Sequence, residues 1–311
     1  MTGELRMGRS EWLLLFGLAA IWGSSFPFYK IMVAQIPPMT IALGRTAIAA
    51  LALNLVLRAR GERIAATRWD AFWFLICGIL NNALPFSLIA FGEIRLSAGL
   101  ASILNATTPI FGILVAHMLT HNERLTGPRL AGVLLGFGGV AVLLGPGLFD
   151  SGAAGSGGRL LAEAACLSSA VAYAFGGVFS RRLSGHSALR IATGQATAAA
   201  LVMIPLVVVF DRPWTMPMPG PAALLSLAAI GLACTALAYV MYFRIMRVAG
   251  ATNMLLVTLL VPVSALILAA LLLGETLRPN AFAGMALIAL GLVAIDGRVF
   301  RRVRMLNTTR S

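Results

Sequence analysis

The chain has 311 residues, of which 59% are hydrophobic and only 11% charged; this is more apolar surface than a water-soluble fold can hide, so the bilayer is its solvent. The net charge of +13 does not mark a nucleic-acid binder, because the basic residues stand singly at the ends of apolar runs instead of forming a stripe with aromatics between them. Cys77, Cys166 and Cys234 sit inside apolar runs without metal-ligand spacing and read as small core residues rather than disulfides or a zinc site.

About twenty apolar residues cross about 30 Å of hydrocarbon at a rise of about 1.5 Å per residue. A window of that length finds ten runs: Trp12 to Val33, Met39 to Leu57, Asp70 to Gly92, Ser97 to Leu119, Arg129 to Leu144, Arg159 to Ser180, Ala188 to Phe210, Ala222 to Phe243, Ala249 to Leu273 and Ala281 to Ile295. Polar or breaker-rich stretches separate them, among them Ile36-Pro37-Pro38, Arg58 to Arg68, His121-Asn122-Glu123-Arg124, Gly152 to Gly158 and Asp211-Arg212-Pro213. None is long enough to hold a soluble domain. The first run is long, has no obvious small-x-small cleavage site and leads straight into another span, so it reads as a retained helix.

Cytoplasmic loops keep an excess of arginine and lysine, and here the loops alternate in charge. One side collects Arg6 and Arg9, then Arg58, Arg60, Arg63 and Arg68, then Arg124 and Arg129, then Arg181, Arg182 and Arg190, then Arg244 and Arg247, and finally the tail from Arg298 to Arg310. The other has Arg95, Arg159, Arg212 and Arg278, with Lys30 near the end of the first span. Both termini are therefore expected in the cytoplasm, with the basic tail resting on anionic lipid headgroups.

The two halves align. Glu123 falls on Glu275, Leu125 on Leu277, Gly132 on Gly284 and Gly139 on Gly291, while Pro109 meets Pro262 after a one-residue gap. Earlier in each half Phe91 meets Phe243, Ala42 meets Ala192, Gly44 meets Gly194, Arg45 meets Gln195 and Lys30 meets Arg181. Apolar bias alone does not place glutamates and prolines in step. Five spans per half is an odd number, so the second copy crosses in the opposite sense to the first. The expected fold is an all-α membrane protein of ten transmembrane helices in two inverted five-helix repeats, residues 1–147 and 148–311. Two such halves can swap shapes to open alternately to either side, as alternating access requires.

These residues resemble the EamA-type, ten-helix transporters of the drug/metabolite transporter superfamily. The resemblance covers nearly the whole chain and rests on Trp22-Gly23-Ser24-Ser25-Phe26 with Lys30, Gly44-Arg45, Pro85-Phe86 leading to Phe91-Gly92-Glu93, Thr108-Pro109-Ile110-Phe111, Glu123-Arg124-Leu125, Pro262, and Gly274-Glu275-Thr276-Leu277. It implies a bacterial inner-membrane exporter of amino acids or related metabolites, working without a cofactor or ATP, its partners a small-molecule substrate and the lipid bilayer. It leaves the cargo open. A polytopic membrane enzyme would need a catalytic set at shared depth, and the chain has no His-Glu-x-x-His and no Gly-x-Ser-x-Gly. A channel or facilitator for small polar solutes is the alternative, though the chain carries its own pseudo-symmetry where a channel would show rings of charge.

Proline removes an N–H and frees the carbonyl four residues earlier. Pro85, Pro109 and Pro262 thereby free the carbonyls of Asn81, Asn105 and Thr258 as helix breaks near mid-span. In hydrocarbon such groups need a protein partner or a water-filled cavity. One cavity where the halves meet would serve all three, with Asn82, Thr108, Trp22, Tyr173 and the intramembrane Arg45 in its lining. The competing account is that the prolines only kink their helices and the polar neighbours bond across to adjacent spans. Glu123 and Glu275 each precede a helix opened by proline, Pro128 or Pro279, which suggests capping there, pairing with Arg124 or Arg278, or gating. Arg159 and Glu163, four apart, suggest an ion pair. His117 reads as a structural hydrogen-bonding group. Gly132, Gly136 and Gly139 are spaced for close helix contact. Glu163 and Asp296 are taken as the only span acids, both near span ends beside arginine, so transport is expected without a buried carboxylate that carries protons.

The inverted repeat makes a direct prediction about sidedness. Single cysteines at Asn122 and Arg278, in a background without other cysteines, are expected to label from opposite faces of the membrane, and labelling from the same face would refute it.

Overall fold

Helix starts follow capping chemistry. Thr67 accepts the Asp70 N–H at 3.1 Å while the Asp70 carboxylate accepts the Thr67 N–H at 3.0 Å, a reciprocal box at one helix entrance. Ser97 and Ser187 accept the N–H of Leu100 and Arg190, three residues on. Pro38, Pro221 and Pro279 open other helices, where a missing N–H is no loss.

The computed structural model describes residues 9–64, 67–120, 127–149, 156–242, 244–245, 256–276 and 279–296. Ten helices run through them: α1 (Arg9–Met32), α2 (Pro38–Ala59), α3 (Arg68–Glu93), α4 (Ala98–Leu119), α5 (Gly127–Phe149), α6 (Ser156–Ser180), α7 (Ala188–Asp211), α8 (Pro221–Tyr242), α9 (Leu256–Leu273) and α10 (Pro279–Asp296). Seven of them, all but α5, α9 and α10, are long and apolar enough to cross a bilayer, and those three hold the shorter apolar stretches Leu130–Val142, Leu260–Leu273 and Pro279–Gly291. Large apolar side chains such as Leu51, Leu225 and Leu271 are 66%, 70% and 76% exposed, whereas Arg45, Asn82, Glu93 and Glu163 are buried. That reversal of the water-soluble pattern suits a perimeter of lipid and a partly polar interior.

The packing exchanges between halves. Contacts of α1 with α9 recur as α6 with α4, those of α3 with α6 as α8 with α1, and those of α3 with α7 as α8 with α2; α2–α7, α4–α9 and α5–α10 map onto themselves. The match extends to single residues. A Cβ on Gly78 would stand 2.7 Å from the carbonyl oxygen of Gln195, and one on Gly231 would stand 3.3 Å from that of Arg45. Likewise Gly44 lies against Leu227 and Gly194 against Phe74. The ends of α2 and α7 are tied in the same way. Asp211 accepts the Thr40 N–H at 2.7 Å and its hydroxyl at 2.8 Å, and Glu62 accepts the Ser187 hydroxyl at 2.8 Å.

Four helices depart from regular winding, α7 at its very end, where Val207–Asp211 is widened by one residue and Arg212 N–H reaches back to Val207 O. In α3 the turn Ile79–Ala83 is widened by one residue, so that Leu84 N–H reaches back five places to Ile79 O just before Pro85. In α8 Leu232–Leu237 is widened likewise, at nearly the same register of the second half. The α4 helix is interrupted at Ala106 and Thr107 and resumes at Thr108 with Pro109 in its first turn. Pro262, by contrast, lies inside an unbroken α9, so the expected break there does not occur.

Glycine lets α5 and α10 touch. A Cβ on Gly139 would meet Gly284 O at 2.7 Å and Ile288 N at 2.9 Å, while one on the adjacent Gly138 meets nothing within 4 Å. Gly139→Ala is therefore expected to cost about 1–3 kcal/mol through overpacking. Gly138→Ala is expected to be neutral or stabilising by up to about 1 kcal/mol. Thermal midpoints of the two variants in detergent micelles test the difference, and equal midpoints would remove the seam from the account.

Candidate functional site

Arg45 is the only arginine among the described residues that is fully enclosed, at 6% exposure. A guanidinium carries five N–H donors and does not give up its charge, so burial obliges it to find acceptors. They come from both halves of the chain. Nε donates to the Thr235 hydroxyl at 2.8 Å, one terminal nitrogen to the Tyr29 hydroxyl at 2.9 Å and the other to Cys234 O at 3.4 Å. Its plane lies over the Phe86 ring, with 3.7 Å from the guanidinium carbon to the ring centroid, and over Tyr29 at 5.6 Å. The widened turn of α8 presents this hydroxyl and carbonyl together, and Thr235 in turn donates to Ile230 O five residues back at 2.9 Å. No carboxylate pairs with Arg45 among the described residues.

Other polar groups converge on the same place. Tyr173 of α6 and Tyr239 of α8 are within electrostatic reach of Arg45. Tyr239 donates to Asn82 Oδ1 at 3.1 Å, and the Asn82 amide nitrogen is buried without a partner. The Ser25 hydroxyl is also buried and unpartnered, four residues before Tyr29 on the same face of α1. The cluster thus offers a permanent cation and spare donors, walled by aromatic rings. That combination can hold the carboxylate and apolar part of a small metabolite.

The mirror position is neutral. Gln195, at the register of Arg45, accepts from Asn81 Nδ2 at 3.1 Å, and the same nitrogen donates to the Ser180 hydroxyl at 3.1 Å. Asn81 is therefore bonded across to α6 and α7 by its side chain. The main-chain carbonyl of Asn105, freed by Pro109, accepts the Thr108 hydroxyl at 2.7 Å, and the Ser169 hydroxyl lies 3.4 Å from Asn105 Oδ1. Local hydroxyls thus satisfy this break, and the single cavity expected to serve three freed carbonyls is corrected to that extent. Trp22 packs on Tyr242, ring centroids 5.8 Å apart, in a cluster separate from the main core that Tyr173 joins. Thr258 holds a position in α9 four residues before Pro262.

At the end of the molecule where α3 stops and α4 begins, charged groups gather. Glu275 accepts the Ala98 N–H at 2.9 Å and the Gly99 N–H at 3.2 Å, so it caps α4 of the other half rather than the helix that Pro279 opens. Its sequence counterpart Glu123 lies outside the described residues. Lys30 donates to Glu93 O at 2.8 Å and Leu96 O at 2.7 Å, finishing α3 with a cation at its negative pole. Arg159 and Glu163 form the expected pair at 3.0 Å. Glu93 overturns the expectation about span acids: the helix runs one residue past the Gly92 limit drawn from hydropathy, and that residue is a fully buried glutamate. Among the residues sequence reasoning missed, Tyr29 and Thr235 had a readable signal, since an intramembrane arginine demands hydroxyl or carbonyl partners at its depth.

The fold and this interior define a polytopic membrane carrier. The profile of the EamA-like transporter family matches residues 9–145 and 160–295, and the chain belongs to that family; it is a membrane transporter. It is 27% identical to a protein of Streptantibioticus cattleyicolor named a probable terminal-alkyne amino-acid exporter, over 98% of this chain and 99% of that protein. It is 29% identical to a probable amino-acid metabolite efflux pump of Escherichia coli, over 92% and 94%, and 26% identical to an uncharacterized inner membrane transporter of the same species, over 90% and 89%. A protein of known crystal structure shares the fold with a TM-score of 0.66 at 20% identity, covering 96% of this chain and 99% of that one.

The Asn81 bonds make that residue a structural tie between α3, α6 and α7. Asn81→Leu is expected to strand Gln195 and Ser180 and to lower stability by about 1–3 kcal/mol. A thermal midpoint in micelles equal to that of the parent protein would show the tie to be idle.

Proposed function

We propose that this transporter exports amino acids or related carboxylate-bearing metabolites across the bacterial inner membrane by alternating access. The observation that carries the reading is Arg45, a buried cation with no counter-charge among the described residues, held by residues from both halves. A cargo carboxylate supplies the missing charge and finds free N–H donors on the guanidinium. The amino-acid exporters and efflux pumps among the relatives point to the same cargo class. Two inverted five-helix repeats, residues 1–147 and 148–311, are the architecture on which this rests. It is supported by the two family matches and by helix contacts that survive exchange of the halves. The alternation of loop charge supports cytoplasmic termini, which puts the end bearing Lys30, Glu93 and Glu275 at the outer face.

Counterflow in proteoliposomes tests the proposal with a ¹⁴C-labelled mixture of amino acids as the probe. The parent protein is expected to exchange part of that mixture saturably. Arg45→Gln is expected to raise the half-saturation concentration by about thirtyfold or more, the equivalent of losing roughly 2 kcal/mol of charge-assisted binding. Arg45→Lys is expected to fall between the two, since ammonium keeps the charge without the planar fork. No exchange of any component by the parent protein would remove amino acids as cargo. Unchanged kinetics in Arg45→Gln at normal membrane levels would remove Arg45 from the site.

A further inference from the structure

Glu93 has no role in the transport reading above and, among the described residues, no hydrogen-bond or ion-pair partner for its carboxyl group. Its side chain is 0% exposed, and neither carboxyl oxygen has a hydrogen-bond partner. Every group that faces it is otherwise engaged or offers no positive charge at bonding distance. From α1 come Lys30, whose ammonium gives two of its three N–H to main-chain carbonyls, one of them Glu93's own, and attracts the carboxylate without bonding it, and Tyr29, whose hydroxyl accepts from Arg45. From α6 comes Cys166, which also faces Glu163, itself held by Arg159. From the end of α9 comes Glu275, a second acid, whose oxygens are taken by the start of α4. The parts of α2 and α4 that run beside this end, Pro38–Gly44 and Ala98–Ala116, carry no ionisable side chain.

A carboxylate shut away from water with no donor and no paired cation is strongly disfavoured, whereas the neutral acid is accommodated. The contacts that shut this end are the Glu275 cap on α4 and the Lys30 clasp on α3. We infer that Glu93 is a proton-binding site built into the outer closure, so that shutting this end takes up one proton from the outer face. The step is Glu93 carboxylate plus one proton giving the carboxylic acid as the cap forms, and the reverse as water returns. The sign follows by linkage: acid outside favours the shut conformation and alkali outside favours the open one. Protons on the outer face would thus set how long the carrier stays open to that side. The placement of this end outside rests on the orientation proposed above.

The test reads accessibility and needs no knowledge of cargo. In a variant with Cys77, Cys166 and Cys234 replaced by alanine, one cysteine is placed at the enclosed Ala98 and, in a parallel protein, at the exposed Met218 of the outer loop. The maleimide labelling rate at position 98 is divided by that at 218, which cancels the reagent's own pH dependence. The ratio is expected to fall as external pH drops, by at most about tenfold per pH unit for a single proton. Glu93→Gln is expected to give a low ratio that no longer responds to pH, and Glu93→Asp is expected to keep the response. A flat ratio with native Glu93, or a response that survives in Glu93→Gln, overturns the inference. If Glu93→Gln does not reach the membrane, the profile with native Glu93 and that of Glu93→Asp decide alone, since flatness in either sinks it. Labelling of both positions only from the cytoplasmic side would instead overturn the orientation, and the pH response would then be read from that side.

Discussion

Arg45 and the widened turn of α8 satisfy each other, and much of the interior is arranged so that they can meet. In hydrocarbon a polar group has no water to fall back on, so a buried guanidinium and an opened helical turn are each untenable alone. Two hydrogen bonds join them, to the Thr235 hydroxyl and Cys234 O, and Tyr29 of α1 accepts a third from the guanidinium. Meeting requires α2 and α8 to approach closely, and Gly44 and Gly231 remove the side chains that would hold them apart. The aromatic faces of Phe86 and Tyr29 then replace part of the lost hydration of the cation. Among the described residues no carboxylate balances the positive charge, which is costly in a static scaffold.

The same crossing occurs a second time between α7 and α3 with a neutral lock. There Gln195 and Asn81 stand where Arg45 and the α8 turn stand, with Gly194 and Gly78 making the room. A duplicated scaffold therefore holds one charged site and one uncharged tie. The buried charge is confined to one of two matching places although the helix contacts survive exchange of the halves. The asymmetry lies in side chains and in winding: the widened turns of α3 and α8 are shared, whereas the break in α4 has no counterpart in α9 and the widened end of α7 has none in α2.

How far this was legible in the sequence depends on the range of the signal. Spans, their order and the pairing of positions between halves are set by hydropathy and by local breakers such as Pro109, so they could be read directly. Arg45 was legible as a residue that needs hydroxyl or carbonyl partners at its depth, but which residues supply them was not fixed, since Tyr29 is 16 and Thr235 is 190 residues away. Proline chemistry identified the freed Asn105 carbonyl and missed its acceptor role toward Thr108, because a threonine hydroxyl can fold back three residues and needs no cavity. Glu275 looked like a cap for the helix that follows it, and tertiary packing carried it to α4 instead. Glu93 escaped through a boundary error of one residue. Hydropathy averages over a window and places helix ends to within a few residues at best, and here the end held a chemically decisive side chain.

Where the molecule can change shape follows from where its bonds are weakest. The α5–α10 seam is held by backbone approach at glycine along a helix face, with Gly139 against Gly284 and Gly291 against Gly132, which favours a fixed hinge line over sliding. The α2–α7 pair is tied at both ends by carboxylates, Asp211 and Glu62, and crosses the site as a second fixed element. What is left are α3, α4 and α8, each irregular near the middle, where hydroxyls and amides already stand in for missing main-chain bonds. Bending there exchanges one set of short side-chain bonds for another and exposes little bare backbone to lipid, so it costs less than tilting a regular helix whole. The α3 and α4 helices meet at the end that Lys30, Glu93 and Glu275 close, and α8 carries the acceptors of Arg45. A bend in α8 that loosened Arg45 and a bend in α3 or α4 that loosened the closure would act on groups joined through Tyr29, which touches Arg45 by hydrogen bond and Glu93 through space.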